Sequence, residues 1–94
     1  MFKYGGNMEE NIDIFNTNNF FDAVTIIEQY WNQGYGTFDI EGKNGITTLE
    51  LTTGGWSENE EIINKISDTM FWFLWWQESK RGGYYKFVYK EVID

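Results

Sequence analysis

Asp39, Glu41 and Glu50, and further along Glu58, Glu60 and Glu61, are the clustered titratable side chains of this sequence, and the chemistry open to them is narrow. Carboxylates alone can act as general acids and bases, or hold a hard cation through oxygen. The 94 residues contain no histidine and no cysteine. That removes Ser-His and Cys-His nucleophilic pairs, thiolate chemistry, disulfides and the ordinary zinc and non-haem iron ligand sets. Asp39-Ile40-Glu41 lacks the glycine and the spaced ligands of a calcium loop. Gly54-Gly55 and Arg81-Gly82-Gly83 match neither a P-loop nor a dinucleotide fingerprint, and read as turns. The expectation is a protein that is not an enzyme and uses no cofactor and no metal.

Charge and composition point to binding instead. Fifteen acidic against seven basic residues give a net charge of −8. This opposes contact with nucleic acid or an anionic membrane and favours a partner with a basic surface. Glu58, Glu60 and Glu61 suit a helix start, and Asp39, Glu41 and Glu50 suit a solvated strand face, so each cluster also has a purely structural reading. Together they permit a surface that imitates the phosphate spacing of nucleic acid. Aromatic residues make up 20% of the chain, more than so small a core needs. Some therefore reach the surface as anchors for a partner or for a homodimer. No stretch is apolar for long enough to span a bilayer, and the start lacks a signal-peptide layout, so the cytoplasm is the expected location.

The positioning elements follow from periodicity. Residues 1–18 show no clear period and read as mostly irregular, with Ile12, Ile14 and Phe15 as a short anchor; translation beginning at Met8 is a further expectation. Residues 19–94 read as a single α+β domain. Phe20, Ala23, Val24, Ile27 and Trp31 line one helical face, with Asn19 as cap, Asp22 in the first turn and Gly34 as the C′ residue. Asn44-Gly45 predicts a type I′ hairpin over Tyr35 to Thr53, in which Lys43 pairs with Ile46, Ile40 with Leu49 and Phe38 with Leu51. Ser57 and Glu60 have capping-box spacing and open a second helix whose buried stripe is Ile62, Ile63 and Ile66.

Met70 to Trp76 is apolar in every direction, so periodicity does not decide it. Its aromatic content favours a strand, paired through Arg81-Gly82-Gly83 with Tyr84 to Val92; the rival is one long helix from Ser57 to about Lys80. With strands the order is α-β-β-α-β-β, a four-stranded antiparallel sheet with two helices on one face. Strict alternation then puts Trp72, Leu74 and Trp76 on one side with Tyr85, Phe87 and Tyr89, and Phe71, Phe73 and Trp75 on the other beside Lys86, Val88 and Lys90. One of these sets has no helix to cover it and forms an aromatic surface suited to a partner or a dimer.

Gly54-Gly55-Trp56-Ser57, Asn59-Glu60, Ile62-Ile63, Met70-Phe71-Trp72, Ser79, Arg81-Gly82-Gly83, Tyr85 and Phe87 resemble a recurring pattern in small, uncharacterised proteins of phages and prophages. The resemblance covers the C-terminal half of the chain, and Tyr84 departs from it where histidine is expected. It implies a phage or mobile-element origin and no particular activity. The leading functional expectation is a non-enzymatic protein that inhibits a host factor, such as a nucleic-acid-binding defence component. Trp56, Phe73, Trp75 and Arg81 would make the contacts, and Asp39, Glu41 and Glu50 would supply charge. The alternatives are a homo-oligomeric binder of a nucleotide-like ligand, with Arg81 on its phosphate, and a phage structural or assembly protein.

Overall fold

The computed structural model describes residues 8–91. A 3-10 helix (Met8–Asn16) leads into α1 (Phe20–Tyr30), the β1–β2 hairpin (Thr37–Lys43, Ile46–Thr52), two helices α2 (Ser57–Ile66) and α3 (Met70–Trp75), and a second hairpin β3–β4 (Trp76–Lys80, Tyr84–Lys90). The four strands form one antiparallel sheet in the order β1-β2-β4-β3, so β1 and β3 are its edges. This is the expected α+β architecture. The expected start at Met8 concerns residues that lie outside the described ones.

The first hairpin follows its sequence pattern throughout. Asn44 and Gly45 take the positive φ values (55° and 78°) of a type I′ turn, and the register pairs Lys43 with Ile46, Ile40 with Leu49 and Phe38 with Leu51. β2 then pairs with β4, setting Leu49 against Phe87 and Leu51 against Tyr85. Leu49, Leu51 and Phe87 are fully buried beneath Phe15, Phe20, Ile26, Ile27, Ile66 and Phe71. One sheet face is therefore the core, and all helices lie on it.

Several local expectations are corrected. Residues 8–16 are helical rather than irregular; Phe15 is fully buried, Ile12 and Ile14 pack against the core, and the segment touches all three α-helices. A nine-residue 3-10 run has no 3.6-residue stripe to read. Asn19 caps α1 by accepting from the Asp22 N–H at 3.1 Å, but the helix stops at Tyr30 and Gly34 is not its C′ residue. Trp31 instead leaves the helix in an extended conformation and is 5% exposed, held by the core. The Ser57–Glu60 capping box does not form. Trp56 occupies the N-cap without a side-chain bond, and the Glu60 carboxylate faces the Thr53 hydroxyl at 3.5 Å.

Met70 to Trp76 is neither a seven-residue strand nor part of one long helix. Ser67 and Thr69 turn their hydroxyls back onto the Asn64 and Ile66 carbonyls, at 2.9 and 2.6 Å, and end α2. A new helix starts at once, because the Asn16 side chain accepts from the Met70 N–H at 3.1 Å. That cap comes from 54 residues away. Only Trp76 to Lys80 is strand, and it carries a bulge between Trp76 and Glu78. The uncovered sheet face accordingly carries none of the α3 aromatics: it bears Thr37, Asp39, Glu41, Lys43, Ile46, Thr48, Glu50, Thr52, Lys86, Val88, Lys90 and one aromatic, Tyr84.

Candidate functional site

Helix α3 sorts its aromatics by face. Phe71 is fully buried, with its ring 5.7 Å from Phe15, 5.8 Å from Phe20 and 5.0 Å from Phe87. Trp75 joins it against Phe20 and Tyr89, and Trp72 covers Tyr85 and Phe87. Once those positions are held inward, the 3.6-residue repeat forces Met70, Phe73 and Leu74 outward. Phe73 is 86% exposed, Met70 43% and Leu74 45%. Trp76, 43% exposed, extends this apolar ridge into edge strand β3, where its indole N–H donates to the Ser79 hydroxyl at 2.7 Å.

On the open sheet face, Asp39, Glu50, Lys86 and Glu78 form one cross-strand row. Glu50 is engaged twice, beside Lys86 and as acceptor of the Tyr84 hydroxyl at 2.5 Å. That hydrogen bond, with partial burial and the negative charge of Glu50 and Glu78 added, pushes the Tyr84 phenol up to about 12. Lys80 lies 3.9 Å from Glu78 and 5.0 Å from the Tyr84 ring centre. Charge thus alternates from Glu50 through Lys86 to Glu78, while Asp39 faces Glu50 as a like charge. Asp39, Glu41 and Glu50 do share this face, as expected, but with Lys43 and Lys86 beside them.

At one end of the sheet the two glycine-rich stretches meet. The Thr53 N–H donates to the Gly83 carbonyl at 3.0 Å. Gly83 has φ +89°, and a Cβ there would sit 2.3 Å from the Thr53 hydroxyl oxygen; one on Gly54 would lie 1.9 Å from the Tyr35 carbonyl oxygen. This close approach carries Tyr35 flat onto Trp56, with centroids 4.2 Å apart and an interplanar angle of 3°. Tyr35 is 61% exposed and shields Trp56, whose indole N–H is buried without a partner. Arg81 is exposed on the adjoining β3–β4 turn. At the opposite end, Phe21, Gly42, Lys43, Ile46, Tyr89 and Glu91 line an open cavity of about 400 Å³.

The expected contact residues therefore separate. Phe73 is the summit of the ridge, Arg81 lies beyond the far end of β3, Trp56 lies under Tyr35, and Trp75 belongs to the core. The cavity and Arg81 sit at opposite ends of β4, so the structure does not bring together the Arg81-plus-aromatic ligand site. Among the described residues no group of three or more carboxylates gathers as a metal site would require, and no helix is long and apolar enough to cross a membrane. Met70, Leu74, Trp76 and Tyr35 are surface aromatics and aliphatics that are not among the expected contact residues. A helical wheel drawn over Met70 to Trp75 would have found the first two.

No protein-family model, curated protein or solved structure matches the chain. The class of molecule is defined by the fold and this surface alone: a small acidic α+β domain with a short, exposed aromatic helix at one sheet edge.

Proposed function

We propose that this is a non-enzymatic binding protein that occludes a surface of another protein through the α3 ridge. In the phage or mobile-element setting suggested by its sequence pattern, the target is a host protein. The observation that carries the reading is Phe73, 86% exposed beside the half-exposed Met70 and Leu74. A solvated phenylalanine contributes nothing to folding, and an aromatic flanked by aliphatics is what an interface core uses. The test is capture from host lysate by the tagged chain and by its Phe73→Ser variant. A host protein retained by the parent and lost by the variant supports the reading, and retention unchanged by the variant sinks it.

The distribution of charge favours a second reading. Residues 69–90 hold four cations against Glu78 alone, a net +3, so the remaining three cations and fourteen carboxylates carry −11. That remainder suits a partner with a basic surface, such as a nucleic-acid-binding host factor. Under this reading moderate salt releases the partner, and Asp39→Lys with Glu41→Lys weakens capture where Phe73→Ser does not.

A further inference from the structure

We infer that the two edges of the sheet fit one another, so that β1 of one copy adds to β3 of the next and the chain assembles head to tail. The inference is independent of which host partner, if any, the ridge takes.

The geometry begins with strand number. Four antiparallel strands in the order β1-β2-β4-β3 make β1 antiparallel to β2, parallel to β4 and antiparallel to β3. A second copy that lays its β1 antiparallel beside β3 therefore has the same orientation as the first. Its helices fall on the same side, and its open face continues the open face of its neighbour. Nothing has to be inverted for the sheet to go on.

The side chains then select a register. On β3, Glu78 and Lys80 point to the open face, and on β1 so do Glu41 and Lys43. Both edges show carboxylate and ammonium two residues apart. In an antiparallel ladder one alignment sets Glu41 of the incoming strand opposite Lys80 and Lys43 opposite Glu78, satisfying both pairs at once. It extends the alternation already present: Lys86 beside Glu78 within one copy would be followed by Lys43 of the next. The bulge at Trp76 and Gln77 lies just outside this pairing and limits it to a few residues. On the helix side the same alignment brings the 45%-exposed Ile40 of the incoming strand to Arg81 and the turn, and Gly42 to Ser79, with no bulk to clash. Pairing like edge with like would be less favourable for β3, because the stretch around it, residues 69–90, carries a local net charge of +3.

Such an interface is heterologous, since different patches meet, and it leaves one free edge at each end of every oligomer. Sedimentation velocity of the full chain at physiological salt, over rising concentration, should show a weight-average mass that climbs past a dimer. Two charge swaps that leave the net charge at −8 dissect the contact: Glu41→Lys with Lys43→Glu on β1, and Glu78→Lys with Lys80→Glu on β3. Either alone should weaken association on the order of tenfold or more, from opposed to like charges at two pairs. Both swaps in one chain should restore it. Equimolar mixing of the two singly swapped chains should also restore growth, because intact β1 then meets intact β3 and swapped β1 meets swapped β3 at alternating contacts along the oligomer. A monomer up to about millimolar concentration, a parent that stops at a symmetric dimer, or a fourfold-substituted chain that fails to associate while its fold persists by circular dichroism would each overturn the inference.

Discussion

Asn59 grips the backbone of Asn32 on both sides of its Cα: its amide oxygen accepts from the Asn32 N–H at 2.8 Å, and its amide nitrogen donates to the Asn32 carbonyl at 3.1 Å. The same nitrogen donates to the Thr53 carbonyl at 3.2 Å, and the side chain is fully buried. One residue of α2 thereby ties together the α1–β1 and β2–α2 connections, which carry Tyr35 and Trp56. Replacing it with leucine, of similar size, leaves the Asn32 N–H without a partner, while the Asn32 and Thr53 carbonyls keep the turn bonds they accept from the Gly36 N–H at 3.0 Å and the Trp56 N–H at 3.1 Å. Asn59→Leu should cost on the order of 3 kcal/mol, at about 1–3 kcal/mol for the orphaned N–H and about 0.5–1.5 kcal/mol for each of the two other bonds lost. Urea denaturation of the variant against the parent checks it.

How much of this was legible varies with how local the cause is. The β1–β2 register follows from Asn44-Gly45 and a period of two, and it is reproduced pair by pair. The α1 stripe and the Asn19 cap are also local and also hold. The α2–α3 break and the start of α3 depend on Asn16, distant in sequence, and no window around Met70 contains it. Ser57 to Glu60 shows the reverse case, a valid local signature overridden by Thr53. For the site, Phe73 was identifiable as an aromatic of interest only through a strand alternation that does not exist. Its exposure comes from the helical repeat around the buried Phe71. Much of the distinctive string from Gly54 to Phe87 has structural duties: Gly54 and Gly83 allow close backbone approach, Asn59 bridges, and Ile62, Ile63 and Phe87 fill the core.

Phe71 and Phe73 are two residues apart and should respond oppositely to truncation. Phe71→Ala opens a cavity among Phe15, Phe20 and Phe87 and should destabilise by about 3–5 kcal/mol, enough to threaten folding of a small domain. Phe73→Ser removes a ring that is already in water and should move stability by no more than about 0.5 kcal/mol. Thermal denaturation of both variants decides whether α3 is oriented as described, and a large loss for Phe73→Ser would reverse the assignment of its faces.

Gly83 combines a left-handed backbone with a neighbour that fills the space of a side chain. Gly83→Ala has to bear the positive-φ penalty, of order 1 kcal/mol, and also displace the Thr53 hydroxyl from 2.3 Å. The expected loss is about 2 kcal/mol or more. Adding Thr53→Ala removes the clash but also the hydroxyl that accepts from the Gly55 N–H. The double variant should therefore recover only part of the loss, and a double-mutant cycle should give a clear interaction energy. Strict additivity would mean that the two residues do not touch.

The Tyr84–Glu50 pair gives the fold a pH signature on the alkaline side. The phenol titrates at about 12 in the folded chain against an ordinary 10.0, chiefly because its hydroxyl donates to the Glu50 carboxylate and ionisation would destroy that bond. A folded-state value above the unfolded one means that the folded chain holds the proton more tightly. The stabilisation is present in full below pH 10 and is lost as pH rises through 12. Tyr84→Phe removes this dependence along with the bond. Glu50→Gln keeps a hydrogen-bond acceptor but not the charge, and should bring the phenol back toward 10. Stability measured by urea at pH 9 and at pH 11 should thus fall more steeply for the parent than for Tyr84→Phe. NMR titration of the Tyr84 ring in the parent and in Glu50→Gln reads the shift directly, and an unshifted parent resonance would mean that the hydroxyl does not engage Glu50 in solution.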